Sequence, residues 1–464
     1  MTPLIRFAHS RCAGLRHAML LDTSREHFAM LTARRELAPD GRELFVILEA
    51  FMAEEQDILA SGLCHVRPSK EFVARVLSAA RQDLRANAIL DVHTHPFCDD
   101  AHFSSIDDAD ERRFSLWLRE QLGPSPAYGS IVFSRSAYEA RIWNGATVLS
   151  ARLRTQTLPE AVPCRSKVDR QENAPEMQAR TALALGTDVI RRITRRQRIV
   201  LAGVGGIGSV LAEQLVRSGF TRLGLIDPDV LELSNLNRFA GGYRADIGRP
   251  KVEVTADHVR RINPDVRISC VADSVESPAA VSLMASADWI IVSTDSHASR
   301  QSVQDTALRF GVPLLSAGVS ITVDEDGGKH HIVDESGEVI IARYGDGYCL
   351  HCLGRINPYV VAAETHPDPA VREALVQKGY VRGLDVKEPA VMPLNTAVAS
   401  MTVRTLLEQY RDDAVHQPVM IYESHAGNRL YPDTESLALL PDVCPACGRN
   451  VRLPATGGLA EVTT

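Results

Sequence analysis

The chain has 464 residues, 45% of them hydrophobic, which is enough for two or three domains with buried cores. Its net charge of −7 gives no general attraction for nucleic acid or acidic membranes, and we expect neither as a partner. No stretch approaches the roughly 18 apolar residues of a membrane span, and the N-terminus lacks the apolar core of a signal peptide. We therefore expect a soluble, cytoplasmic protein.

Residues 1–150 are predicted to form a first domain of α/β or α+β class. The apolar runs 44–52 and 88–92 are typical of strands, and 70–87 has the apolar spacing of a helix. The segment 129–143 predicts two further strands with a turn at 134–137.

Two histidines follow the predicted strand 88–92 in the string D-V-H-T-H-P. His93 and His95 are two positions apart, so on extended backbone both side chains point to one face and can share a zinc ion. The string F-S-S-I-D-D then supplies Ser104 and Asp107. Two histidines and one carboxylate leave a fourth position for water, as in catalytic zinc sites. The alternative is a pair of surface histidines in a polar loop.

These strings resemble the JAMM (Mov34/MPN) metalloproteases, isopeptidases that remove ubiquitin and its relatives. The resemblance implies a catalytic zinc on His93, His95 and Asp107. It also implies that Glu26 is the general base and that Ser104 donates to the oxyanion.

The sequence departs from the family pattern in the loop after His95. The stretch up to the serine is one residue longer than usual, which leaves Ser105 with Asp108 as a second register. Glu54 and Glu55 are rivals of Glu26 by residue type. The loop also carries further side chains that could perturb a metal: Cys98, Asp99, Asp100 and His102.

Residues 151–168 carry two prolines and no clear period, which indicates a linker to a second domain over 169–450, with 451–464 as a tail. The string R-I-V-L-A-G-V-G-G-I-G-S predicts a buried strand at 198–202, a turn, and a helix over 210–218. Glycines in the turn let backbone approach a phosphate, whose charge a helix N-terminus favours: Gly203, Gly205, Gly206 and Gly208.

An acidic residue, Asp227, ends the next predicted strand, 223–226. With the glycines it forms the dinucleotide fingerprint, whose default ligand is NAD. A dehydrogenase has no role beside the ribose for three residues that follow: Asn235, Arg238 and Lys251. A site that cleaves ATP does, because cations stabilise negative charge on the phosphates. Asp295 follows a third predicted strand, 289–293, and is well placed there to hold magnesium.

The run 170–410, with S-N-L-N-R and D-I-G-R-P-K, resembles the MoeB/ThiF family of adenylyltransferases, which includes the catalytic half of ubiquitin-activating enzymes. The resemblance implies a Rossmann-like adenylation domain that uses ATP and Mg²⁺. Asp227 would bind the ribose, and Asp295 the magnesium; the phosphates would contact Asn235, Arg238 and Lys251. A homodimer is also implied, because Arg170 matches an arginine that reaches into the partner subunit's site; an exposed helix charge is the alternative.

Nine cysteines are too few for the disulfide scaffold of a secreted chain of this size. Two C-x-x-C pairs predict a structural four-cysteine zinc site, which the ThiF resemblance also implies: Cys349, Cys352, Cys444 and Cys447. With the first site this makes two Zn²⁺ per chain; a redox role for the pairs is the alternative.

A cysteine for an enzyme thioester is missing from the expected place. None lies between Cys352 and Cys444, and Val386 stands about where some relatives carry one. Cys270 lies in an apolar run and is expected in a strand interior. We therefore expect an acyl-adenylate without an obligatory enzyme thioester.

Both resemblances imply one substrate class, a ubiquitin-like or sulfur-carrier β-grasp protein that ends in glycine. The favoured hypothesis is a bifunctional enzyme that adenylates this carboxylate and hydrolyses amides made to it. It would work with a conjugating enzyme, as in bacterial operons of which some serve antiphage defence. One alternative is sulfur-carrier activation with a first domain that trims a precursor. The other is a first domain that only recruits the carrier.

Overall fold

The structure is a computed structural model. It describes residues 2–7, 15–62, 65–122, 127–144, 147–155, 162–163, 175–326, 329–368, 370–372, 374, 389–411, 417–425, 427–444 and 446–447. Within these ranges no helix is long and apolar enough to cross a membrane.

The first part of the chain forms a mixed sheet and a separate hairpin. Its strands are β1 (Leu4–Phe7), β2 (Phe28–Leu37), β3 (Glu43–Met52), β4 (Ile58–Ser61), β5 (Val66–Pro68), β6 (Ala88–His95), β7 (Ala127–Ser134), β8 (Ala137–Asn144), β9 (Thr147–Ser150), β10 (Arg152–Thr155) and β11 (Val162–Pro163). Its helices are α1 (Leu15–Met19), α2 (Lys70–Gln82) and α3 (Ser105–Leu122). The sheet order is β10-β1-β3-β2-β6-β7-β8-β11, with β9 beside β8, while β4 and β5 pair with each other.

Strand β6 is buried along its whole length, as is its parallel neighbour β7. Helix α2 covers one face of this sheet, where Phe72 and Val76 pack in one hydrophobic cluster with Ile89 of β6 and Tyr128 of β7. A central strand covered in this way holds its side chains in fixed directions, which matters for the two histidines that it carries.

The three largest differences from the predicted organisation of this part are the following. Strand β6 runs on to His95 instead of ending at 92, and Pro96 follows it. Helix α2 stops at Gln82, not at 87, because the backbone of Asp83 is extended. The predicted linker, 151–168, contributes β10 and β11 to the sheet, where they pair with β1 and β8.

The second part of the chain forms an eight-stranded sheet with helices around it. The strands are β12 (Arg198–Ala202), β13 (Arg222–Ile226), β14 (Arg267–Val271), β15 (Trp289–Val292), β16 (Leu314–Asp326), β17 (Lys329–Ala342), β18 (Val419–Glu423) and β19 (Arg429–Pro432). The helices are α4 (Ala179–Leu185), α5 (Thr187–Arg196), α6 (Gly206–Arg217), α7 (Lys251–Ile262), α8 (Pro278–Ala285), α9 (His297–Phe310), α10 (Pro358–Thr365), α11 (Met392–Glu408) and α12 (Thr434–Ala438).

The strand order is β14-β13-β12-β15-β16-β17-β18-β19. From β12 the chain adds strands first on one side, to β14, and then on the other side from β15 onwards, so the point where this order switches lies between β12 and β15. The first five strands are parallel and have the order of a doubly wound nucleotide-binding sheet, whereas the last three add antiparallel pairs. Helix α6 begins at Gly206, four residues before the predicted start at 210, so the glycine turn leads directly into it.

The two sheets are joined by a common core. Leu44 and Val46 of β3 lie in the same hydrophobic cluster as Val200 of β12 and Ile290 of β15. Arg6 is only 4% exposed at this contact. Its guanidinium donates to the carbonyl oxygen of Phe310 (2.7 Å), which ends α9, and to those of Ala285 (3.3 Å) and Ala287 (3.2 Å) at the end of α8.

Helix C-termini leave carbonyl oxygens unpaired and carry partial negative charge, which a buried cation can satisfy. Replacement of Arg6 by Met should therefore lower the free energy of unfolding by about 2–4 kcal/mol, since it leaves buried carbonyl groups without donors. Urea denaturation followed by tryptophan fluorescence measures this change. Arg404→Met is the control, because the side chain of Arg404 is 77% exposed and pairs with Glu408 within one helix. The control should change stability by less than about 1 kcal/mol, and equal loss in both variants would contradict the role of Arg6.

Candidate functional sites

The carboxyl ends of β12, β13 and β15 lie side by side. The amide of Gly203 donates to the carbonyl oxygen of Ile226 (2.9 Å), and the amide of Ser293 donates to that of Ala202 (2.9 Å). The loops that follow the three strands therefore leave the sheet at neighbouring points. Ligands bind at this edge in sheets of this order.

The glycine turn after β12 is sterically tight. Gly203 has a φ of +92°, a conformation that side chains disfavour. A Cβ atom at Gly208 would lie 2.1 Å from the carbonyl oxygen of Gly203, and one at Gly206 would lie 2.4 Å from Nδ2 of Asn395. At Gly205, by contrast, a Cβ atom would meet nothing within 4 Å.

Asp227 fixes the shape of this turn. Its buried carboxylate accepts hydrogen bonds from the amides of Val204 (2.7 Å) and Asp229 (2.9 Å). Burial raises the pKa of Asp227, while the charge of Lys251 acts in the opposite direction. Each carboxylate oxygen still has a lone pair that could accept a ribose hydroxyl.

The predicted phosphate ligands differ in how closely they approach the glycine turn. Cδ of Arg238 lies 3.1 Å from the position of a Cβ atom on Gly206. Lys251 is buried, and its Nζ donates to the carboxylate of Asp229 (2.7 Å). Oδ1 of Asn235 accepts the amide of Glu232 (3.0 Å) and so stabilises its own loop. Asp295 is exposed between β15 and α9.

Asn395 was not predicted from the sequence to lie at this site. It is buried on α11 and meets the glycine turn from a helix that begins about 190 positions later in the chain. Its only signal in the sequence is an amide within the apolar run V-M-P-L-N-T-A-V.

The three predicted ligands of the first metal centre come together. One ligand atom each from His93, His95 and Asp107 lie within 4.8 Å of one another. Nε2 of His93 is 3.6 Å from a carboxylate oxygen of Asp107, and the two imidazole rings are 5.1 Å apart. The buried Nε2 atom of His93 has no hydrogen-bond partner among the described residues. Two imidazoles and a carboxylate form a donor set that fits zinc with an open position.

Glu26 lies beside this centre. It precedes β2, is 4% exposed, and has a carboxylate oxygen 3.7 Å from Nε2 of His95. Burial, with a smaller effect from Asp107, raises the pKa of Glu26 to about 8. A bound cation would lower this pKa again and favour the carboxylate that can accept a proton. The rivals Glu54 and Glu55 are both exposed; Glu54 contacts Gln56 and Glu55 faces Arg25.

Ser104 and Asp107 are joined by reciprocal hydrogen bonds. The amide of Ser104 donates to a carboxylate oxygen of Asp107 (2.6 Å), and the amide of Asp107 donates to Oγ of Ser104 (3.2 Å). The hydroxyl hydrogen of Ser104 can therefore be directed to another acceptor. Asp108 instead pairs with Arg141 (2.6 Å), so the structure places the register Ser104 with Asp107 at the histidines.

The four cysteines of the two C-x-x-C pairs also cluster. Sγ of Cys349 lies 3.7 Å from Sγ of Cys352 and 3.9 Å from Sγ of Cys444, and Sγ of Cys352 lies 3.6 Å from Sγ of Cys447. A tetrahedral ion with metal–sulfur bonds of about 2.3 Å separates its sulfur ligands by about 3.8 Å. The donor set and its spacing therefore fit zinc.

Three further residues singled out in the sequence have different outcomes. Arg170 and Val386 lie outside the described residues. Cys270 belongs to β14 as expected, but the prediction that it is a strand interior residue was wrong, because β14 is an edge strand of its sheet and Cys270 is exposed. Local desolvation nonetheless raises the pKa of its thiol, which disfavours a nucleophilic thiolate.

The contrast between Gly208 and Gly205 gives a test of the glycine turn. Gly208→Ala should lower the free energy of unfolding by about 2 kcal/mol or more, because its Cβ atom would displace the backbone at Gly203. Gly205→Ala should cost less than about 1 kcal/mol in the ligand-free protein, since the added methyl group meets open space. Thermal denaturation of both variants measures the difference. Equal stability of the two variants would contradict the described packing of the turn.

The sequence is similar to those of several known adenylyltransferases. The molybdopterin-synthase adenylyltransferase of Escherichia coli is 31% identical over 160 residues, covering 34% of this chain and 59% of that protein. The adenylyltransferase and sulfurtransferase MOCS3 of Arabidopsis thaliana is 26% identical over 249 residues, half of each chain. The chain thus spans about half the length of the curated relatives it matches.

Among solved structures, E. coli MccB with AMPCPP and SeMet MccA is similar with a TM-score of 0.46 and 18% identity, covering 60% of this chain and 76% of that one. The sequence model of the ThiF family matches residues 177–429, which include β12 to β18 and the glycine turn. Because this match covers more than half of the chain, the chain belongs to the ThiF family.

Proposed function

We propose that this protein adenylates the C-terminal carboxylate of a small β-grasp carrier protein of the ubiquitin-like or sulfur-carrier type. The observation that carries the proposal is the glycine turn after β12, with Asp227, Arg238 and Lys251 around it, in a ThiF-family domain. The relatives named as adenylyltransferases support the same chemistry.

In this reaction a carboxylate oxygen of the carrier attacks the α-phosphorus of ATP. The bond from that phosphorus to the bridging oxygen breaks, pyrophosphate leaves, and an acyl-adenylate remains. Arg238 beside the turn would stabilise negative charge on the phosphates, and the N-terminus of α6 would contribute its partial positive charge. Lys251 would exchange its pairing with Asp229 for a phosphate oxygen.

Asp295 would hold Mg²⁺ at this edge. Its carboxylate is exposed at the carboxyl end of β15, and magnesium is commonly bound by one or two carboxylates together with substrate phosphates. When bound, the ion would neutralise charge on the phosphates.

ATP–pyrophosphate exchange tests this proposal. Exchange should require magnesium and a carrier that ends in glycine, and Asp295→Ala should lower its rate by about 100-fold because a ligand of the ion is lost. Asp334→Ala is the matched control, since Asp334 is an exposed carboxylate on β17, and it should retain full exchange. Undiminished exchange in Asp295→Ala would remove Asp295 from the assignment, and no exchange in the unmodified protein with any such carrier would remove the assignment itself.

We further propose that the first sheet carries a zinc hydrolase that cleaves amides or precursor extensions of the same carrier. The observation that favours it is the convergence of His93, His95 and Asp107 with Glu26 at their side. Zinc at the three ligands would supply a charge that polarises the scissile carbonyl and the attacking water.

The side chains around that ion have separate tasks in hydrolysis. Glu26 would accept a proton from the attacking water and return it to the amine when the carbon–nitrogen bond breaks. The hydroxyl of Ser104 would donate to the oxygen that gains negative charge during the attack. Products are the free carboxylate of the carrier and an amine.

Metal analysis and cleavage test the hydrolase together. We expect two zinc ions per chain, one at the four cysteines and one exchangeable ion at the histidines, because only the second site keeps an open position. The double variant His93→Ala, His95→Ala should bind one zinc fewer and lose all cleavage of carrier fusions. The control, His330→Ala with His331→Ala, removes two exposed histidines of β17 and should change neither property. One zinc per unmodified chain would favour a recruiting role for the first sheet.

A further inference from the structure

Arg141 of β8 lies close to the first metal centre and is 8% exposed; the sequence predicts only that it belongs to a strand within 129–143. A buried guanidinium is costly unless its charge and its donors are matched. Here two carboxylates from one helix balance the charge and accept from two of the three nitrogens, whereas Nη2 has no hydrogen-bond partner among the described residues. Nε donates to Glu111 (2.8 Å) and Nη1 donates to Asp108 (2.6 Å).

Both carboxylates belong to the first two turns of α3, the helix that also carries Asp107. Glu111 is further held by Ser130 of β7 (2.6 Å) and by the indole of Trp143 of β8 (2.6 Å). The start of α3 is thus fixed to β7 and β8 by hydrogen bonds to charged groups. Such bonds are shorter and stronger than neutral ones.

The same guanidinium supports the histidine side of the centre. Its Cζ lies 3.7 Å from the centre of the Phe103 ring, so the cation rests on the aromatic face. The Phe103 ring in turn meets the ring of His93 edge to face, with 6.0 Å between the centres. Arg141 therefore contacts both the helix that carries the ligand Asp107 and the ring that packs on the ligand His93.

We propose that Arg141 is a positioning residue for the metal centre of the first sheet: it holds Asp107, through α3, and His93, through Phe103, at the separation that one zinc ion requires. This inference rests on the proposed zinc hydrolase. Residues that orient metal ligands commonly contribute 10–100-fold to metal affinity. Arg141 should therefore set how tightly the exchangeable zinc is bound.

The test measures zinc affinity by competition with a chromophoric chelator that leaves the four-cysteine site loaded. Arg141→Met should weaken binding at the histidine site by about 10–100-fold. Arg141→Lys should give an intermediate loss, because a lysine carries the charge but cannot present the planar fork that reaches both carboxylates. The matched control is Arg113→Met, since Arg113 lies on α3 with its side chain 77% exposed and pairs with Asp110. Its zinc affinity should be unchanged.

Removal of Arg141 alone leaves buried Glu111 without its cation, which can destabilise the whole domain. Two further variants separate positioning from stability. Asp108→Asn removes only the half-exposed contact and should weaken zinc binding by several-fold with the melting temperature unchanged. Glu111→Gln with Arg141→Met removes both buried charges and should fold while still binding zinc weakly.

Cobalt substitution provides a readout that stability alone would not move. In folded variants the visible bands of Co²⁺ at the histidine site should change shape, because ligand geometry sets them, whereas the bands of the cysteine site should not. Native zinc affinity and an unchanged cobalt spectrum in Glu111→Gln, Arg141→Met would overturn the positioning role. If the unmodified protein itself binds only one zinc, the proposed hydrolase fails instead.

Discussion

The parallel pairing of β12 with β13 and β15 is the constraint on which the proposed nucleotide site depends. Because the three strands run in one direction, their carboxyl ends present the glycine turn, Asp227 and the loop to Asp295 at a single edge. The carboxylate of Asp227 then reaches across to the amide of Val204 and holds the turn. These residues are spread over about 90 positions of sequence, and only this pairing brings them to one place. Without it the reaction proposed for them would have no common centre.

Local patterns in the sequence were sufficient where the chemistry is local. The apolar run 198–202 forms β12 with the predicted bounds, and the alternation of His93 and His95 follows from period two on β6. The doubly wound order of the second sheet agrees with the ThiF resemblance. For β12 and for the two histidines a single element contains all the information, whereas the strand order was predicted only through the family resemblance.

Long-range features were not visible in the same way. Strands β10 and β11 are only four and two residues long, so tertiary pairing, not propensity, decides their structure. Asn395 and Arg141 take their roles from elements distant in sequence, and neither has a neighbouring motif. The choice between Asp107 and Asp108 was open because both lie in one turn of α3. In the structure Asp108 pairs with Arg141, while Asp107 lies beside the histidines.

The core shared by Leu44, Val46, Val200 and Ile290, with Arg6 at the helix ends, has a consequence for how the two proposed sites would respond to ligands. Side chains buried in common cannot be exposed in one sheet without loss of packing in the other. A ligand that binds only the native state stabilises everything that unfolds together with its site. Nucleotide held at the glycine turn would therefore protect β6 and its histidines against thermal unfolding. Zinc at the histidines would likewise protect the glycine turn and the proposed nucleotide site.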